Sequence, residues 1–469
     1  MDRILNFLSD YGVSLTYQKL SKDVVHHVKR RIVDTLGCAM GAYHMEPPEI
    51  ARAHALEVVS SPGSTILGTR HQSSPELAAF ANGVMARYLD FNDTSMTGSG
   101  GHPSDNIMGV LAAAEYAGAD MQTAIASIVI AYEVQGRFGA ACNDLRANGW
   151  DNAVLMVLGA TTGASKAMGL NKEQTANAIA LAAVANGAMG QTRVGQLSMW
   201  KGCTAPNAAR NAVFSVIMAR RGLTGPEEAF EGPRGYKKQL GTSLQLQLAN
   251  FGGNGQAFTI ETDKYKYFPC DYEVQCAVTP ALELYKLLKG RLDEIESIDI
   301  ETYAFAVGVA ADTLAKWNPT TRETADHSLP YVMAVALTKG TVWLDDFEEE
   351  RIRDPKLRVL MQKIRVRATE ECNRIWPEAY PFRITVTTKS GEKHCREIKY
   401  AKGHPKNPMS DQELEAKFRR LAEPVMGKAQ ASKALSQLWR LEDMESVREL
   451  LALFALPAGS EKKAHAAIR

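Results

Sequence analysis

The residues from Arg87 to Asn106 carry side chains suited to acid–base chemistry on an anion, and they read RYLDFNDTSMTGSGGHPSDN. If the preceding helix continues through this stretch, Asp90 and Thr94 share one face because they are four residues apart. A glycine-rich turn then leads to His102 and to a second helix, whose free N–H groups and positive dipole end favour a bound carboxylate. The alternative is a polar loop before a capped helix, with His102 bonded to a backbone carbonyl.

Basic and imidazole side chains farther along the chain add to this set. Lys201 precedes a helix that we expect to be capped by Thr204. Arg322 and His327 lie close together in TRETADHSLPY, residues 321–331. The candidate groups are His102, Lys201, Lys266, Arg322 and His327, with Asp90 and Asp93 to orient or titrate them. Each alone is more often a surface or capping residue, so only their convergence in one pocket would indicate a site.

Groups of this kind suit removal of a proton from the carbon next to a carboxylate. A general base such as His102 contributes roughly 10²–10⁴-fold, whereas enzymes typically need about 10⁶-fold or more. The remainder must come from stabilisation of a doubly negative, enolate-like intermediate, to which one well-placed donor contributes about 3–4 kcal/mol. Loss of a β-hydroxyl then gives dehydration, return of the proton to the other face gives epimerisation, and loss of carbon dioxide gives decarboxylation.

Composition and missing motifs argue against several other classes of protein. The 469 residues include 54 basic and 53 acidic side chains, and a net charge of +1 does not favour nucleic acid or a membrane surface. No apolar run approaches the roughly 18 residues that cross a membrane. Seven cysteines without a C-x-x-C pair predict a reducing cytoplasm, with neither a disulfide framework nor structural zinc. Nucleotide-loop, serine-hydrolase and zinc-protease motifs do not occur, so we expect no metal and no organic cofactor.

Apolar periodicity predicts an essentially all-α first part of the chain. Helices are expected over 4–11, 23–42, 49–59, 121–141, 153–168 and 173–189, with further starts at Ser74 and at Ser104 or Asp105. Pro47-Pro48 is expected to break the chain, and a domain boundary is placed near residue 258. Beyond it, the predictions are a helix after Asp271, strands over 295–303 and 364–368, a hairpin over 383–399 turning at 389–392, and helices again from Asp411.

Several long motifs resemble the MmgE/PrpD family. They are RYLDFNDT with HPSDNI, WKGCTAPNAARNAV with GLTGPEEAFEG, KYFP at 266–269, ADHSLPY at 325–331, and the C-terminal RITVTTKSGE and KGHPKNPM. They span nearly the whole chain. The resemblance implies a family of 2-methylcitrate dehydratases, cis-aconitate decarboxylases and iminodisuccinate epimerases, which are usually homodimers. It also implies a mainly α fold, in which an all-α domain from residues 1–257 and 405–469 receives an inserted α+β lid domain at 258–404.

The resemblance assigns site residues as well. The residues similar to the active site of the decarboxylase branch are Asp90, Thr94, His102, Lys201 and Lys266, and His327 matches the lid histidine. The uninterrupted HPSDNI and RYLDFND are closer to the dehydratase branch. Many members have a second catalytic histidine where this chain reads GWDNA, residues 149–153. Because Asn152 cannot carry a proton near neutral pH, either Asp151 substitutes or the reaction differs. The family's lid tyrosine corresponds to Tyr303 or to the position of Phe305.

The sequence therefore predicts a cofactor-independent lyase that dehydrates 2-methylcitrate, or a similar tricarboxylate, to 2-methylaconitate, as in the methylcitrate cycle of propionate metabolism. The catalytic set is His102, as base or acid, with Lys201, Asp90 and Asp93. The substrate-binding set is Thr94, Ser104, Lys266, Tyr303, Arg322 and His327. The alternatives are a decarboxylase or epimerase of a related polycarboxylate, and an inactive paralogue that binds a polycarboxylate as a sensor or scaffold. We expect a cytoplasmic homodimer with no nucleic-acid or membrane partner.

Overall fold

A computed structural model describes residues 1–95, 97–241 and 244–457. The helices of the first part are α1 Arg3–Ser14, α2 Lys22–Gly41, α3 Glu46–Leu56, α4 Pro75–Arg87, α5 Asp105–Ala117, α6 Met121–Ala141, α7 Ala153–Ala167, α8 Lys172–Ala185, α9 Thr204–Arg220 and α10 Tyr236–Leu240. Between α3 and α4 in sequence, β1 Ser64–Thr65 and β2 Gln72–Ser73 form an antiparallel pair.

Side-chain caps explain where several of these helices begin. The carboxylates of Asp2 and Asp120 and the hydroxyl of Ser21 each accept a backbone N–H from the first turn that follows, which satisfies a donor with no partner inside the helix. The predicted break at Pro47-Pro48 is wrong, since both prolines lie in the first turn of α3. A proline is tolerated there because its missing N–H would have had no helical partner.

The second part of the chain combines helices with a four-stranded sheet. Its elements are α11 Tyr272–Leu288, β3 Ile295–Thr302, α12 Ala304–Ala310, α13 Leu314–Trp317, α14 Arg322–Ala325, α15 Leu329–Lys339, α16 Glu349–Ile352, α17 Pro355–Met361, β4 Ile364–Ala368, α18 Glu370–Ile375, β5 Phe382–Thr388 and β6 Lys393–Ile398. The strand order is β4-β3-β5-β6, with β4 parallel to β3 and the other pairs antiparallel. Alternate residues of β5 are buried, and α11 packs against β5, β6 and α15.

The chain ends in helices α19 Asp411–Met426, α20 Lys428–Leu438 and α21 Val447–Ala452. Helix α19 packs along α2, and two glycines of α2 allow the close approach. A Cβ atom at Gly37 would lie 3.2 Å from the ring of Phe418, and one at Gly41 would lie 2.7 Å from Leu421. The C-terminal helices therefore dock on the N-terminal helical part, as the sequence predicts.

Among the described residues, two large apolar cores and one small cluster around Leu89 and Phe91 result from this arrangement. The first joins side chains between Ile4 and Tyr265 to others between Met409 and Phe454, and the second is formed by side chains between Phe268 and Ala401. The predicted fold class, mainly α with an α+β second domain, is confirmed, whereas the exact boundaries at 258 and 405 stay predictions. Among the described residues, no helix is both long enough and apolar enough to cross a membrane.

Candidate active site

The carboxylate of Asp90 is the centre of the candidate site. Its Oδ1 atom lies 3.1 Å from Nζ of Lys266 and 3.7 Å from Nε2 of His102. Its Oδ2 atom lies 3.4 Å from Nζ of Lys201 and 3.4 Å from Nε2 of His327. Four residues that are far apart in sequence, from both parts of the chain, therefore meet at one buried carboxylate. We call them, with Asp90, the Asp90 network.

The backbone conformation of Asp90 differs from the helical one that the sequence suggested. Helix α4 ends at Arg87, so Asp90 and Thr94 do not share a helical face, and that prediction is wrong. Asp90 has φ of 49°, a left-handed conformation that is uncommon outside glycine but tolerated by aspartate. The guanidinium of Arg87 pairs with its Oδ1 atom, and Nζ of Lys266 donates to its backbone oxygen at 2.9 Å.

The same neighbours keep Asp90 ionised. Burial raises the pKa of its carboxyl, but the positive charges of Arg87, Lys201 and Lys266 outweigh this effect and hold the pKa well below its usual range. A permanently negative carboxylate can orient imidazole and ammonium groups, but it is a poor proton acceptor. The proton chemistry of the network therefore falls to its basic members.

His102 is held as a neutral imidazole with one defined tautomer. Its Nδ1 atom lies 2.7 Å from the backbone oxygen of Asp93, and because a carbonyl can only accept, Nδ1 carries the hydrogen and Nε2 keeps its lone pair. Burial, with the charges of Arg87 and Lys266, lowers the pKa of His102 well below its ordinary value. The side chain is 14% exposed. Its Nε2 atom is therefore unprotonated at neutral pH and has a lone pair that can accept a proton.

The carboxylate of Asp93 lies behind this arrangement. It accepts the backbone N–H of Ser104 at 2.9 Å and the hydroxyl of Tyr132 at 2.8 Å, and the guanidinium of Arg31 lies 3.5 Å away. Asp93 therefore joins the start of α5 to the helical core, while its carbonyl orients His102. This is a positioning role, with no contact to Asp90 among the described residues.

Ser104 and Thr94, predicted to bind substrate, lie in the loop that carries His102. The hydroxyl of Ser104 accepts from the amide of Asn92 at 2.9 Å. The hydroxyl of Thr94 donates to the backbone oxygen of Gly101 at 3.2 Å, and its backbone pairs with that of Lys264. Both residues are buried, so in this conformation they hold the loop in place.

Lys201 connects the helical part of the site to the second part of the chain. It lies in a short 3₁₀ turn, Met199–Gly202, just before α9, whose cap residue is Cys203 and not Thr204 as predicted. Its Nζ atom is 3.5 Å from Oδ1 of Asp326 and 3.3 Å from Nδ1 of His327. Burial lowers the pKa of Lys201, although Asp326 and Asp90 oppose this effect. An ammonium of this kind gives up a proton more readily than an exposed lysine does.

His327 is surrounded by carboxylates. Its Nδ1 atom is hydrogen-bonded to Asp326, and its Nε2 atom lies 3.6 Å from Asp271 as well as close to Asp90. Burial and the charge of Lys201 nevertheless lower its pKa, since Asp326 and Asp271 compensate only in part. With its pKa below the ordinary histidine value, His327 is mostly a neutral imidazole near neutral pH.

Within the described part of the chain, Asp90, Asp326 and His327 form a group whose ligand atoms lie within 4.8 Å of one another, a spacing that would allow a metal ion. The Nζ atom of Lys201 lies within 3.5 Å of all three residues. An ammonium in that position already neutralises the carboxylates and would repel a divalent cation. The donor set therefore suits a lysine better than a metal.

Arg322 lies apart from the Asp90 network. Its guanidinium carbon is 5.9 Å from the ring centroid of Tyr88 and 5.4 Å from that of Phe347, and Nη1 donates to the backbone oxygen of Leu344 at 3.4 Å. The neighbouring Glu323 accepts from the Tyr88 hydroxyl at 3.1 Å. Arg322 thus packs where α4 meets the second part of the chain.

Tyr303 also lies elsewhere, in the second apolar core. Its ring is fully buried and stacks on Trp376 with centroids 5.8 Å apart. Phe305 stacks on the same tryptophan at 5.5 Å, and the guanidinium of Arg146 approaches Phe305 to 5.5 Å from the ring centroid. Of the two candidates for the lid tyrosine position, Phe305 therefore faces the helical part of the chain.

Residues 149–153, where the family resemblance would place a second histidine, make structural contacts. Oδ2 of Asp151 accepts from Nε of Arg193 at 2.6 Å, and Oδ1 accepts the N–H of Ala153 at 2.9 Å, at the start of α7. Burial raises the pKa of Asp151, but Arg193 outweighs it and lowers the value. Asn152 packs on Gly101, where a Cβ atom would lie 2.2 Å from its amide nitrogen. An ionised carboxylate paired in this way is a weak substitute for an imidazole.

Three carboxylates near the site were not recognised from the sequence as part of it. Asp326 directly precedes His327 within the ADHSLPY motif, and this position could have identified it. Asp271 and Asp105 looked like ordinary helix starts. Burial raises the pKa of Asp105 to about 7, although the guanidinium of Arg87, 3.6 Å away, opposes this. A helix-start aspartate cannot be distinguished from a site residue without knowing which groups are buried beside it.

Comparisons with known proteins show which family the chain belongs to. Sequence models of the MmgE/PrpD N-terminal domain and the MmgE/PrpD C-terminal domain match residues 6–249 and 268–441. The 2-methylcitrate dehydratase of Escherichia coli K12 is 28% identical over 383 residues, which cover 77% of this chain and 76% of that protein. The mitochondrial 2-methylcitrate dehydratase of Yarrowia lipolytica is 28% identical over 382 residues, covering 77% and 72%. The human cis-aconitate decarboxylase is 25% identical over 454 residues, covering 94% and 92%. The chain therefore belongs to the MmgE/PrpD family.

Proposed function

We propose that this protein is a lyase that removes water from 2-methylcitrate, or from a similar tricarboxylate, to give 2-methylaconitate. The observation that carries the proposal is the meeting of a neutral His102 with two buried lysines at Asp90. The names of relatives at 28% identity support the same reaction, since they are 2-methylcitrate dehydratases.

The first step is removal of a proton from the carbon next to a carboxylate. Nε2 of His102 takes the proton, and the electron pair of the C–H bond moves toward that carboxylate to form an enolate-like group. The positive charges of Lys201 and Lys266 stabilise the added negative charge, and in a buried site each such donor contributes about 3–4 kcal/mol. Lys266 acts mainly through Asp90, because both of its hydrogen-bonding contacts go to that residue.

The second step is departure of the hydroxyl group. The electron pair returns to form the carbon–carbon double bond, the carbon–oxygen bond breaks, and the hydroxyl leaves as water after taking a proton from Lys201. One proton is gained by His102 and one is lost by Lys201, so the enzyme returns to its starting state by exchange with solvent.

A spectroscopic assay tests this reaction directly. Purified protein incubated with 2-methylcitrate is expected to produce ultraviolet absorbance from the conjugated product, and to keep this activity in a chelator. His102→Ala and Lys201→Ala should abolish it, whereas Lys172→Ala, which removes an exposed partner of Asp10, should not. If the wild-type protein turns over none of 2-methylcitrate, citrate, cis-aconitate and iminodisuccinate, the proposal is wrong. If metal restores an activity that a chelator removes, the cofactor-independent part of it is wrong.

Epimerisation of a polycarboxylate is the second candidate. It is favoured by the approach of His102 and His327 to opposite oxygens of Asp90, which provides two imidazoles that could take and return a proton. NMR in deuterated water separates the candidates: deuterium incorporation without loss of water indicates epimerisation, and release of carbon dioxide indicates decarboxylation. Binding without turnover would indicate an inactive polycarboxylate sensor.

We also propose that the protein is a cytoplasmic homodimer without nucleic-acid or membrane partners. Large exposed apolar side chains are frequent between residues 184 and 214, namely Val184, Met189, Val194, Met199, Trp200 and Phe214. Met189 and Trp200 line one surface cavity of about 320 Å³. Exposed apolar groups in this number are typical of an interface. Light scattering should give the mass of a dimer, and Trp200→Glu should give a monomer, whereas Val359→Glu on α17 should not.

A further inference from the structure

The short helix α13 places Lys316 beside the Asp90 network. The hydroxyl of Ser328 donates a hydrogen bond to the backbone oxygen of Lys316, and Ser328 directly follows His327 in the chain. The backbone of Lys316 is therefore tied to the turn that presents His327 to Asp90. No motif in the sequence drew attention to this lysine.

The side chain of Lys316 is enclosed but unpaired. The residue is 6% exposed, and no carboxylate or hydrogen-bond acceptor in the described part of the chain contacts its ammonium group. The other lysines of the site differ, since Lys201 and Lys266 each have a carboxylate oxygen within 3.5 Å. Among the described residues, Nζ of Lys316 does not belong to the fully buried polar atoms that lack a hydrogen-bond partner. The ammonium therefore keeps contact with solvent, and an anionic ligand can reach it.

Long-range charges show which groups lie near the ammonium. Burial lowers the pKa of Lys316, while the carboxylates of Asp271 and Asp326 oppose this effect and the ammonium of Lys201 adds to it. Asp312, in the same part of the chain, has a smaller opposing effect. Lys316 is thus close enough to Asp271, Asp326 and Lys201 to interact with their charges, and its backbone is bonded to the residue that follows His327.

The charge balance of the site gives Lys316 a role. Three carboxylates of the network and its border are ionised, because nearby cations lower the pKa of each despite burial; they are Asp90, Asp271 and Asp326. Arg87, Lys201 and Lys266 pair with Asp90, Lys201 also pairs with Asp326, and His327 and Lys266 lower the pKa of Asp271. Lys316 adds a positive charge that no carboxylate in the described part of the chain contacts. A ligand with several carboxylates needs such an excess, since balanced ion pairs offer it little attraction.

We infer that Lys316 forms a carboxylate subsite on the second-domain side of the active site and binds one carboxylate of a polycarboxylate substrate. The inference rests on the proposed function. It names a residue that selects among substrates by the number of carboxylates they carry. Binding there gives the ammonium, which has no acceptor in the described part of the chain, a charge-assisted hydrogen bond. Lys316 is a binding residue in this scheme and takes no part in proton transfer.

Isothermal titration calorimetry with two probes tests the subsite. Tricarballylate has three carboxylates and no hydroxyl group, and glutarate has two. Lys316→Met should weaken tricarballylate binding by about 10- to 100-fold, as expected for a lost charge-assisted hydrogen bond, and should weaken glutarate binding much less. Lys316→Arg should restore part of the loss. The matched control is Lys356→Met, an exposed lysine of α17, which should bind both probes as the wild-type protein does.

Kinetics and stability distinguish binding from a structural role. For the substrate that the protein turns over, Lys316→Met should raise KM by a similar factor and change kcat little. Its Tm should change little, because the ammonium has no hydrogen-bond partner in the described part of the chain to lose. Lys316→Gln is a second variant with the same expected selectivity. If both variants bind tricarballylate as the wild-type protein does, or lose both probes equally, the subsite is refuted while the proposed function stands. If the wild-type protein neither binds nor converts any polycarboxylate, both are refuted.

Discussion

The Nδ1 atom of His102 donates its hydrogen to the backbone carbonyl oxygen of Asp93, 2.7 Å away. This bond leaves the lone pair on Nε2, which lies 3.7 Å from Oδ1 of Asp90. Burial and the cations Arg87 and Lys266 keep the imidazole neutral by lowering its pKa. A base prepared in this way does not have to lose a proton before it can accept one from a substrate.

The pH dependence of turnover should reflect the lowered pKa of His102. As pH falls through that pKa, the imidazole is protonated and the base is lost, so the acid limb of kcat/KM should lie below the ordinary histidine value of about 6.5. Rates measured between about pH 4 and 8 would show this. His54→Gln, at an exposed histidine, should leave the profile unchanged. An acid limb centred on the ordinary value would contradict the assignment.

Asp90→Asn should damage both activity and stability. The change removes the negative charge that Lys201 and Lys266 share, and a buried ion pair that loses one partner typically costs about 3–5 kcal/mol. The pKa of Asp90 is depressed, so its contribution to stability is present above the unfolded value of about 3.9 and is lost as pH falls through the folded value. Urea unfolding at neutral and acid pH would measure this, and the two proteins should converge in acid.

The matched control for that variant is Asp345→Asn. Asp345 pairs with Lys339 at 2.6 Å, but its side chain is 59% exposed. An exposed ion pair contributes about 0–1 kcal/mol, so this change should have little effect on the free energy of unfolding. Equal effects of the two substitutions would show that the Asp90 network does not behave as a buried ion cluster.

Asp151→Asn should keep most of the activity. Its carboxylate is committed to Arg193 and to the start of α7, so removing its charge should cost some stability while kcat/KM stays within about tenfold of wild type, less than the roughly 10²–10⁴-fold of a lost proton carrier. Steady-state kinetics on the variant decides the point. A loss within that larger range would mean that Asp151 carries the proton normally assigned to a second histidine.

His404 should titrate far below an ordinary histidine. Its Nδ1 atom accepts the backbone N–H of Lys406 at 3.0 Å, a bond that protonation would break. Burial, with the charges of Lys264 and Lys406, lowers its pKa to about 4. NMR titration of ¹³C-labelled histidine, with the resonance assigned through His404→Gln, should show that midpoint. A midpoint near about 6.5 would show that the ring is not held as described.

The same residue should affect stability in acid. Between the folded pKa of about 4 and the unfolded value of about 6.5, the unfolded chain binds more protons, so the free energy of unfolding falls as pH is lowered through that window. His404→Gln should make the dependence less steep. Thermal unfolding at several pH values would measure the difference, and identical slopes in the two proteins would rule out this contribution.

Local signals predicted most of the elements. The helix expected over residues 121–141 and the strand over 364–368 match α6 and β4 residue for residue, because Asp120 caps the helix and apolar residues alternate along the strand. Predictions of where helices begin and end were less accurate. Pro47-Pro48 begins a helix, and α8 ends at Ala185 and not at 189, since the surrounding packing decides how far a helix continues.

The site was predicted in its parts but not in its arrangement. Histidine and lysine candidates followed from residue type and from the family resemblance, and the structure brings His102, Lys201, Lys266 and His327 to Asp90. Arg322 and Tyr303 had the same kind of support but lie apart. Lys316 had none. Which cation reaches a cleft depends on contacts between segments that are far apart in sequence, and periodicity in one segment carries no information about them.

Lys417 of helix α19 affects when, during synthesis of the chain, the loops of the Asp90 network become fixed. Its ammonium pairs with Asp34 at 2.6 Å and donates to the backbone oxygens of Phe91 and Lys266, at 2.7 and 2.9 Å. It therefore holds the two loops that present Asp90 and its lysine partner. During translation these loops lack the contacts of Lys417 until residue 417 has left the ribosome, so a nascent chain can contain every side chain of the Asp90 network before the loops that carry Asp90 and Lys266 are fixed.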